Sequence, residues 1–261
     1  MKCQYEKTNC KLKSRIKIAF FIICALLSCT AHDRYTHTSL PQAGICLSFD
    51  DRAVDAWFRM RELLAKYEAK VTFFVTQWDS LTPAEINKLK ILQQDGHEIA
   101  FHGARHVLSE YYIKEHSLED YLNTEILAGI KSMQAAGFYP TTFAYPYSAK
   151  YWGTDRELLK YFYVLRSEEP LRDKTDASTI DACYYENTGE RLVYAITIDR
   201  NANLKAKGWE KALNRAWQNK EVLLLYGHTP METFDVAFLE EILAMAKSKN
   251  LKFFRTSDLI G

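Results

Sequence analysis

Short apolar runs alternate with amphipathic segments along most of this chain, and this alternation limits the possible folds more than any other feature. Strands that are apolar throughout and separated by helices are typical of a parallel sheet covered by helices. The sequence therefore predicts an α/β fold. The predicted strands are residues 45–49, 71–76, 98–101, 142–145, 163–165, 192–198, 222–226 and 251–254.

Three predicted helices begin at sequence signals for a helix N-terminus. The run Thr82-Pro83-Ala84-Glu85 is a capping box with proline at the first helical position, and Gly96 is placed to end that helix. Ser117 to Asp120 and Thr154 to Glu157 carry similar signals. Residues 167–189 lack clear periodicity and are predicted to be an excursion between two strands.

Residues 44–261 are predicted to form one domain. No proline-rich or serine-rich linker divides them, and single-domain α/β barrels reach about 200–250 residues. We expect a monomer, with Cys46 and Cys183 as two separate thiols.

The N-terminus has the layout of a secretory signal. Six basic residues between Lys2 and Lys17 precede an apolar run, residues 18–27, that is shorter than the roughly 20 residues a membrane-spanning helix needs. The run Leu26-Leu27-Ser28-Cys29 resembles the bacterial lipoprotein signal, in which the cysteine receives lipid. We expect residues 1–28 to be a lipoprotein signal peptide, and residues 29–43 to tether the domain to a membrane of the bacterial cell envelope. A plain cleaved signal, or an uncleaved short anchor, is the alternative.

Charge argues against a nucleic-acid partner. Of 34 basic and 33 acidic residues, residues 1–28 contain six and one, so acidic side chains outnumber basic ones by four in the remainder. Binding to nucleic acid would need a clustered basic face.

Polar side chains follow several of the predicted strands at the point where each strand ends. In a parallel barrel the active site is built at this edge, because the loops that follow the strands converge there. The sequence therefore predicts a functional site formed by Asp50, Asp51, His102, His106, the run Tyr145-Pro146-Tyr147, Asp199 and His228.

Asp51, His102 and His106 are the predicted metal ligands. Two imidazoles and one carboxylate leave one position open on a tetrahedral ion, as in catalytic zinc sites, so Zn²⁺ is the expected metal. Asp50 would then stay free beside the ion and act as general base. Capping of a helix that starts near Val54 is the alternative explanation for the two aspartates.

His228 is a candidate general acid on the same edge. Asp199 is a candidate to hold its imidazole in one tautomer and raise its pKa, as carboxylates do for catalytic histidines. The alternatives are a structural histidine and an ordinary turn aspartate.

Four segments in series resemble the ordered motifs of the polysaccharide deacetylases, carbohydrate esterase family four. They are residues 47–51, 96–106, 143–147 and 225–228. The resemblance implies a distorted (β/α) barrel of about seven parallel strands and metal-dependent removal of N-acetyl groups from amino-sugar polymers. It also implies the roles given above to the aspartates and histidines, and it adds a backbone N–H of Tyr147 that stabilises the oxyanion.

The sequence departs from this family in two motifs. The third motif usually begins with an arginine that orients the base, and Ala144 stands there instead. The fourth is reduced to Asp199-Arg200. Arg166, which closes the neighbouring predicted strand, is the candidate replacement for the missing guanidinium.

Three functions follow as hypotheses. The first is a lipid-anchored, metal-dependent deacetylase of an N-acetylated glycan. The second is an O-acetyl carbohydrate esterase, and the third a catalytically weak carbohydrate-binding lipoprotein of the same fold. The sequence does not identify the glycan. Four aromatic residues are candidates to stack on sugar rings, with core packing as the alternative: Trp78, Tyr145, Tyr147 and Trp152.

Overall fold

The computed structural model describes residues 43–169, 176–200 and 206–260. The predicted signal peptide, the lipidation site Cys29 and the tether up to residue 42 lie outside these residues.

Seven parallel strands close into a barrel, as expected from the sequence. Their order around the barrel is β1, β2, β3, β4, β5, β7 and β8, and pairing of β8 with β1 closes the ring. The strands of the described residues are β1 (Gly44–Asp51), β2 (Thr72–Val75), β3 (Glu98–Phe101), β4 (Thr142–Ala144), β5 (Val164–Glu168), β6 (Tyr184–Tyr185), β7 (Leu192–Thr197), β8 (Val222–Gly227) and β9 (Lys252–Phe254).

The two remaining strands lie outside the ring. Strand β9 pairs with the first three residues of β1, where β2 has not yet begun to pair with it. Strand β6 runs antiparallel to the start of β8 and falls within the excursion for which no strand was predicted. Two residues are too few for an alternating pattern to be visible in the sequence.

Helices surround the barrel. Within the described residues they are α1 (Val54–Arg59), α2 (Arg61–Lys66), α3 (Pro83–Gln94), α4 (Ser109–Glu115), α5 (Leu118–Tyr121), α6 (Ala128–Ala135), α7 (Thr154–Leu158), α8 (Ala206–Asn219) and α9 (Val236–Ser248), with a π-helical segment (Leu122–Leu127) joining α5 to α6. Among these residues, none of the helices combines the length and apolar character needed to cross a bilayer.

Two of the three predicted helix caps are confirmed. The side chain of Thr82 accepts a hydrogen bond from the backbone N–H of Glu85 in a capping box, and Ser117 caps α5. The third prediction is wrong by one position: Gly153, in a left-handed conformation, precedes α7. The hydroxyl of Thr154 donates to the carbonyl of Tyr151 instead.

Side chains alternate between the two faces of the barrel wall, which decides what lines the site. Ile45, Leu47 and Phe49 of β1 belong to the large cluster that also contains helix residues. Cys46 belongs to a second, smaller cluster with strand residues from across the barrel. Since successive strand residues point to opposite faces, Asp50 shares the inner face with Cys46. Cys46 and Cys183 are two separate buried thiols.

Candidate active site

Asp51, His102 and His106 come together at the carboxyl end of the barrel. The Nε2 atoms of the two histidines are 3.1 Å apart. Oδ1 of Asp51 lies 3.5 Å from Nε2 of His102 and 3.1 Å from Nε2 of His106. Across the part of the chain that the structure describes, this is the group of side chains that could hold a metal ion.

The donor set fits a divalent ion. Ligand atoms about 2.0–2.2 Å from a tetrahedral ion lie about 3.3 Å from one another, close to the three separations observed here. Nδ1 of His102 donates to the carbonyl of Ala144 at 2.8 Å. This hydrogen bond assigns the proton to Nδ1 and leaves the lone pair of Nε2 directed at the ligand cluster, as in metal sites generally.

Three residues of the site have unusual backbone conformations. Asp51 (φ 84°), His106 (φ 63°) and Tyr147 (φ 54°) all adopt left-handed conformations although they are not glycines. Such conformations cost about 1–3 kcal/mol each and are retained mainly where surrounding structure imposes them, often at functional sites. Burial opposes ionisation of Asp51, but the adjacent imidazoles of His102 and His106 hold its pKa well below the ordinary range.

Asp50 points inward from β1 and pairs with Arg166. Both residues are 2% exposed, and Nη2 of the guanidinium donates to Oδ2 of the carboxylate. The guanidinium also lies over the rings of Phe74 and Tyr226, 5.2 and 4.8 Å from their centroids. The structure thus places Arg166 where the sequence hypothesis required it.

The alternative explanation for the aspartate pair, capping of a helix, is wrong. Helix α1 has Ala53 at its N-cap position and no side-chain cap. Asp50 is bonded to Arg166 and Asp51 faces the histidines.

His228 and Asp199 form a hydrogen-bonded pair on the same edge. Nδ1 of His228 lies 2.5 Å from Oδ2 of Asp199, and the hydroxyl of Thr233 donates to the other carboxylate oxygen at 2.6 Å. Burial would lower the pKa of His228. The hydrogen bond with Asp199 and the negative charges of Asp50, Asp199 and Asp51 outweigh burial and raise that pKa to about 9. The imidazole is therefore a proton donor at neutral pH.

One cavity of ≈ 120 Å³ is lined by the three metal-ligand candidates and by Asp50, Arg166 and His228. Three residues that the sequence analysis did not select also line it, Ser148, Glu168 and Tyr226. Glu168 is two positions after Arg166 on β5, and Tyr226 two positions before His228. The alternation of strand side chains could have identified Glu168 and Tyr226, since residues two apart share a face.

Two of the four proposed stacking aromatics are not available to a sugar, which corrects that prediction. Trp78 is 4% exposed and donates from Nε1 to the carbonyl of Val75. The side chain of Tyr145 is buried, and its hydroxyl donates to Asp155 at 2.6 Å. Both aromatics belong to the core. Tyr147 is 62% exposed and Trp152 is 85% exposed, and the ring of Tyr147 lies 4.5 Å from that of His106.

A family model described as polysaccharide deacetylase matches residues 37–162. The matched residues make up just under half of the chain, and over them the chain matches the polysaccharide deacetylase family. The match includes the three metal-ligand candidates and Asp50, and it ends before Arg166, Asp199 and His228. No curated protein sequence matches the chain.

Solved structures share the deacetylase fold. A peptidoglycan deacetylase from Bacillus subtilis has a TM-score of 0.53 at 18% identity, over 84% of this chain and 90% of that one. A chitin deacetylase from Colletotrichum lindemuthianum has a TM-score of 0.57 at 16% identity, over 85% and 90%. A pseudoenzyme of carbohydrate esterase family four from Bacillus anthracis has a TM-score of 0.58 at 12% identity, over 85% and 66%. At these identities the likeness establishes the fold alone.

Proposed function

We propose that this protein is a metal-dependent hydrolase that removes N-acetyl groups from an amino-sugar polysaccharide or oligosaccharide, with Zn²⁺ as its metal. One observation carries the proposal. A three-residue ligand set, a buried carboxylate paired with an arginine, and a histidine hydrogen-bonded to Asp199 all meet at one cavity. A cavity of ≈ 120 Å³ suits an acetyl group, while the sugar stays outside it.

Each residue of the site has a separate role in the proposed reaction. When bound at Asp51, His102 and His106, a divalent ion supplies Lewis acidity and lowers the pKa of water. Asp50 accepts the proton of the attacking water, and Arg166 keeps its carboxylate in one orientation because a guanidinium presents its donors in a fixed plane. The N–H of Tyr147 donates to the oxyanion as the acetamide carbonyl becomes tetrahedral.

His228 completes the reaction. Its imidazolium donates a proton to the sugar nitrogen as the carbon–nitrogen bond breaks, which releases acetate and a free amine. Asp199 accepts from Nδ1 of His228 and so leaves Nε2 as the proton-donating atom.

The proposed substrate class is supported by the structural neighbours. Two of them are a peptidoglycan deacetylase and a chitin deacetylase, and the substrates in these names are polymers of N-acetylated amino sugars. An O-acetyl ester is the alternative substrate, because the same base and acid serve both bonds.

A catalytically weak carbohydrate-binding protein is the second candidate function. The absence of the usual arginine at Ala144 favours it, as does the pseudoenzyme among the neighbours. The contact between Arg166 and Asp50 argues against it, since a binding protein needs neither an oriented base nor a protonated acid.

Acetate release tests the proposal. The zinc-loaded protein and its His106→Ala variant would be incubated with N-acetylated chito-oligosaccharides and with O-acetylated xylo-oligosaccharides. We expect acetate from the N-acetylated substrate with the parent protein and none with the variant, which loses a metal ligand. Release from the O-acetylated substrate alone would favour the esterase, and binding without release would favour the second candidate.

Titration of His228 tests the proposed acid. In metal-free protein, NMR should show the wild-type imidazole titrating near pH 9. In Asp199→Asn the midpoint should fall, because the hydrogen bond that raises the pKa of His228 most is removed while burial still lowers that pKa. Since the folded-state pKa is raised, the pair stabilises the fold fully below about pH 6.5, and this contribution is lost as pH rises through about 9. An unchanged midpoint in the variant would contradict the assignment.

We also propose that lipid at Cys29 anchors the protein to the bacterial cell envelope, as the N-terminal sequence predicts. Cys29→Ala should move the protein from the membrane fraction to the soluble fraction, because the acyl chains that provide the anchor cannot be attached. Immunoblotting of the two fractions, with Cys46→Ala as the matched control, measures this. Unchanged membrane attachment of the Cys29 variant would reject the lipoprotein assignment.

A further inference from the structure

The loop that carries both histidines is held in place at each of its ends. Residues 102–106 follow β3 without forming a helix. The N–H of His102 donates to the carbonyl of Val75 at 3.0 Å, and the hydroxyl of Thr76 donates to the carbonyl of Gly103 at 2.9 Å. These contacts fix the beginning of the loop and leave the approach to His106 to be fixed by other residues.

Glu125 fixes the second part of the loop. Its Oε1 accepts the backbone N–H of Arg105 at 2.7 Å, and its Oε2 accepts Nε of the same residue at 3.1 Å. Its backbone carbonyl accepts the N–H of Ala104 at 3.1 Å. Both residues that immediately precede His106 are therefore bonded to Glu125.

The position of Glu125 in its helix is unusual. Together with Tyr121, Gly129 and Met133 it forms a row with a spacing of four residues, and all four are buried. A carboxylate in such a row is costly unless it is paired and hydrogen-bonded, and the loop supplies its partners. Glu125 also lies in the π-helical segment between α5 and α6, a feature found frequently at functional sites.

Gly103 allows the loop to approach this carboxylate. It adopts φ +82°, and a Cβ atom there would lie only 2.9 Å from Oε1 of Glu125. A side chain at position 103 would therefore collide with Glu125 or displace it.

We propose that Glu125 is a positioning residue for the metal site: by holding Ala104 and Arg105 it places the imidazole of His106 against His102 and Asp51. The inference rests on the metal site of the proposed function. Glu125 touches no substrate or metal in this role and acts through the loop.

The experiment compares zinc affinity in the parent protein and Glu125→Ala by competition with a chelator. Loss of a group that orients metal ligands typically weakens affinity about 10–100-fold, and we expect a loss in this range. Amide hydrogen exchange of the metal-free proteins supplies a second readout. The amides of residues 104–106 should exchange faster in the variant.

Glu221→Ala is the matched control. Glu221 is also a buried carboxylate, 5% exposed and paired with Arg215, but it precedes β8 at the opposite end of the barrel. This variant should lose stability without losing zinc affinity. Glu125→Gln keeps an oxygen to accept the N–H of Arg105, so it should retain more affinity than Glu125→Ala, and it decides the question if the alanine variant does not fold.

Unchanged zinc affinity and unchanged exchange in a folded Glu125 variant would overturn the inference, as would an equal loss of affinity in Glu221→Ala. Failure of the proposed deacetylase activity is visible in the parent protein. If that protein binds zinc but releases no acetate, the affinity comparison still decides the role of Glu125. If it binds no zinc, both the proposed metal site and the inference are rejected.

Discussion

Asp50→Asn is expected to abolish turnover while leaving bound metal in place. The amide keeps the shape of the side chain but cannot accept the proton of the attacking water, and general bases contribute about 10²–10⁴-fold to rate. Acetate release at saturating substrate measures the loss, and elemental analysis measures the metal.

Asp51→Asn is the matched comparison, since the two aspartates are adjacent in sequence. Asp51 supplies an oxygen to the ligand set, so its amide variant should lose metal as well as activity. Equal loss of metal in both variants would show that the two aspartates do not have separate roles.

Removal of the Arg166 guanidinium should lower turnover by about 10²-fold, the cost of a misplaced reacting group, with little change in metal content. In Arg166→Met the carboxylate of Asp50 loses its orienting donor. An Arg166→Met enzyme with the wild-type rate would reject the compensation for Ala144.

The same variant has a stability consequence that follows from burial. Both members of the pair are 2% exposed, and removing one partner of a buried ion pair costs about 3–5 kcal/mol because the other charge is left uncompensated. The double variant Asp50→Asn/Arg166→Met should recover much of that stability and none of the turnover. Chemical denaturation of the single and double variants separates the structural effect from the catalytic one.

The proposed replacement of the family arginine by Arg166 has a simple basis in the barrel. Ala144 and Arg166 are register partners on β4 and β5, so the guanidinium comes from the neighbouring strand at the same height. Ala144 itself packs with Phe74, and its small side chain leaves space on the inner face. The sequence could place Arg166 on the adjacent strand, but the contact with Asp50 requires the register and the closure of the barrel.

For the two histidines, too, the sequence predicts part of the arrangement and the tertiary structure adds the rest. Positions at the carboxyl ends of strands and the spacing of the two histidines were enough to predict a ligand set with Asp51. The carbonyl of Ala144 that orients His102 could not be identified from the sequence, because every residue has a backbone carbonyl. Trp78 is the opposite case: its position after β2 suggested exposure, and packing against Phe138 buries it.

By itself, the sequence determined most of the strand and helix order, the parallel sheet, and the edge at which polar side chains gather. These depend on local periodicity and on turn and capping signals, which act over a few residues. Tertiary structure alone decided that Arg166 pairs with Asp50, that Glu125 holds the metal-binding loop, and that Trp78 and Tyr145 belong to the core. Each of these contacts joins segments far apart in the chain or depends on burial, so its energy appears only after the barrel has closed.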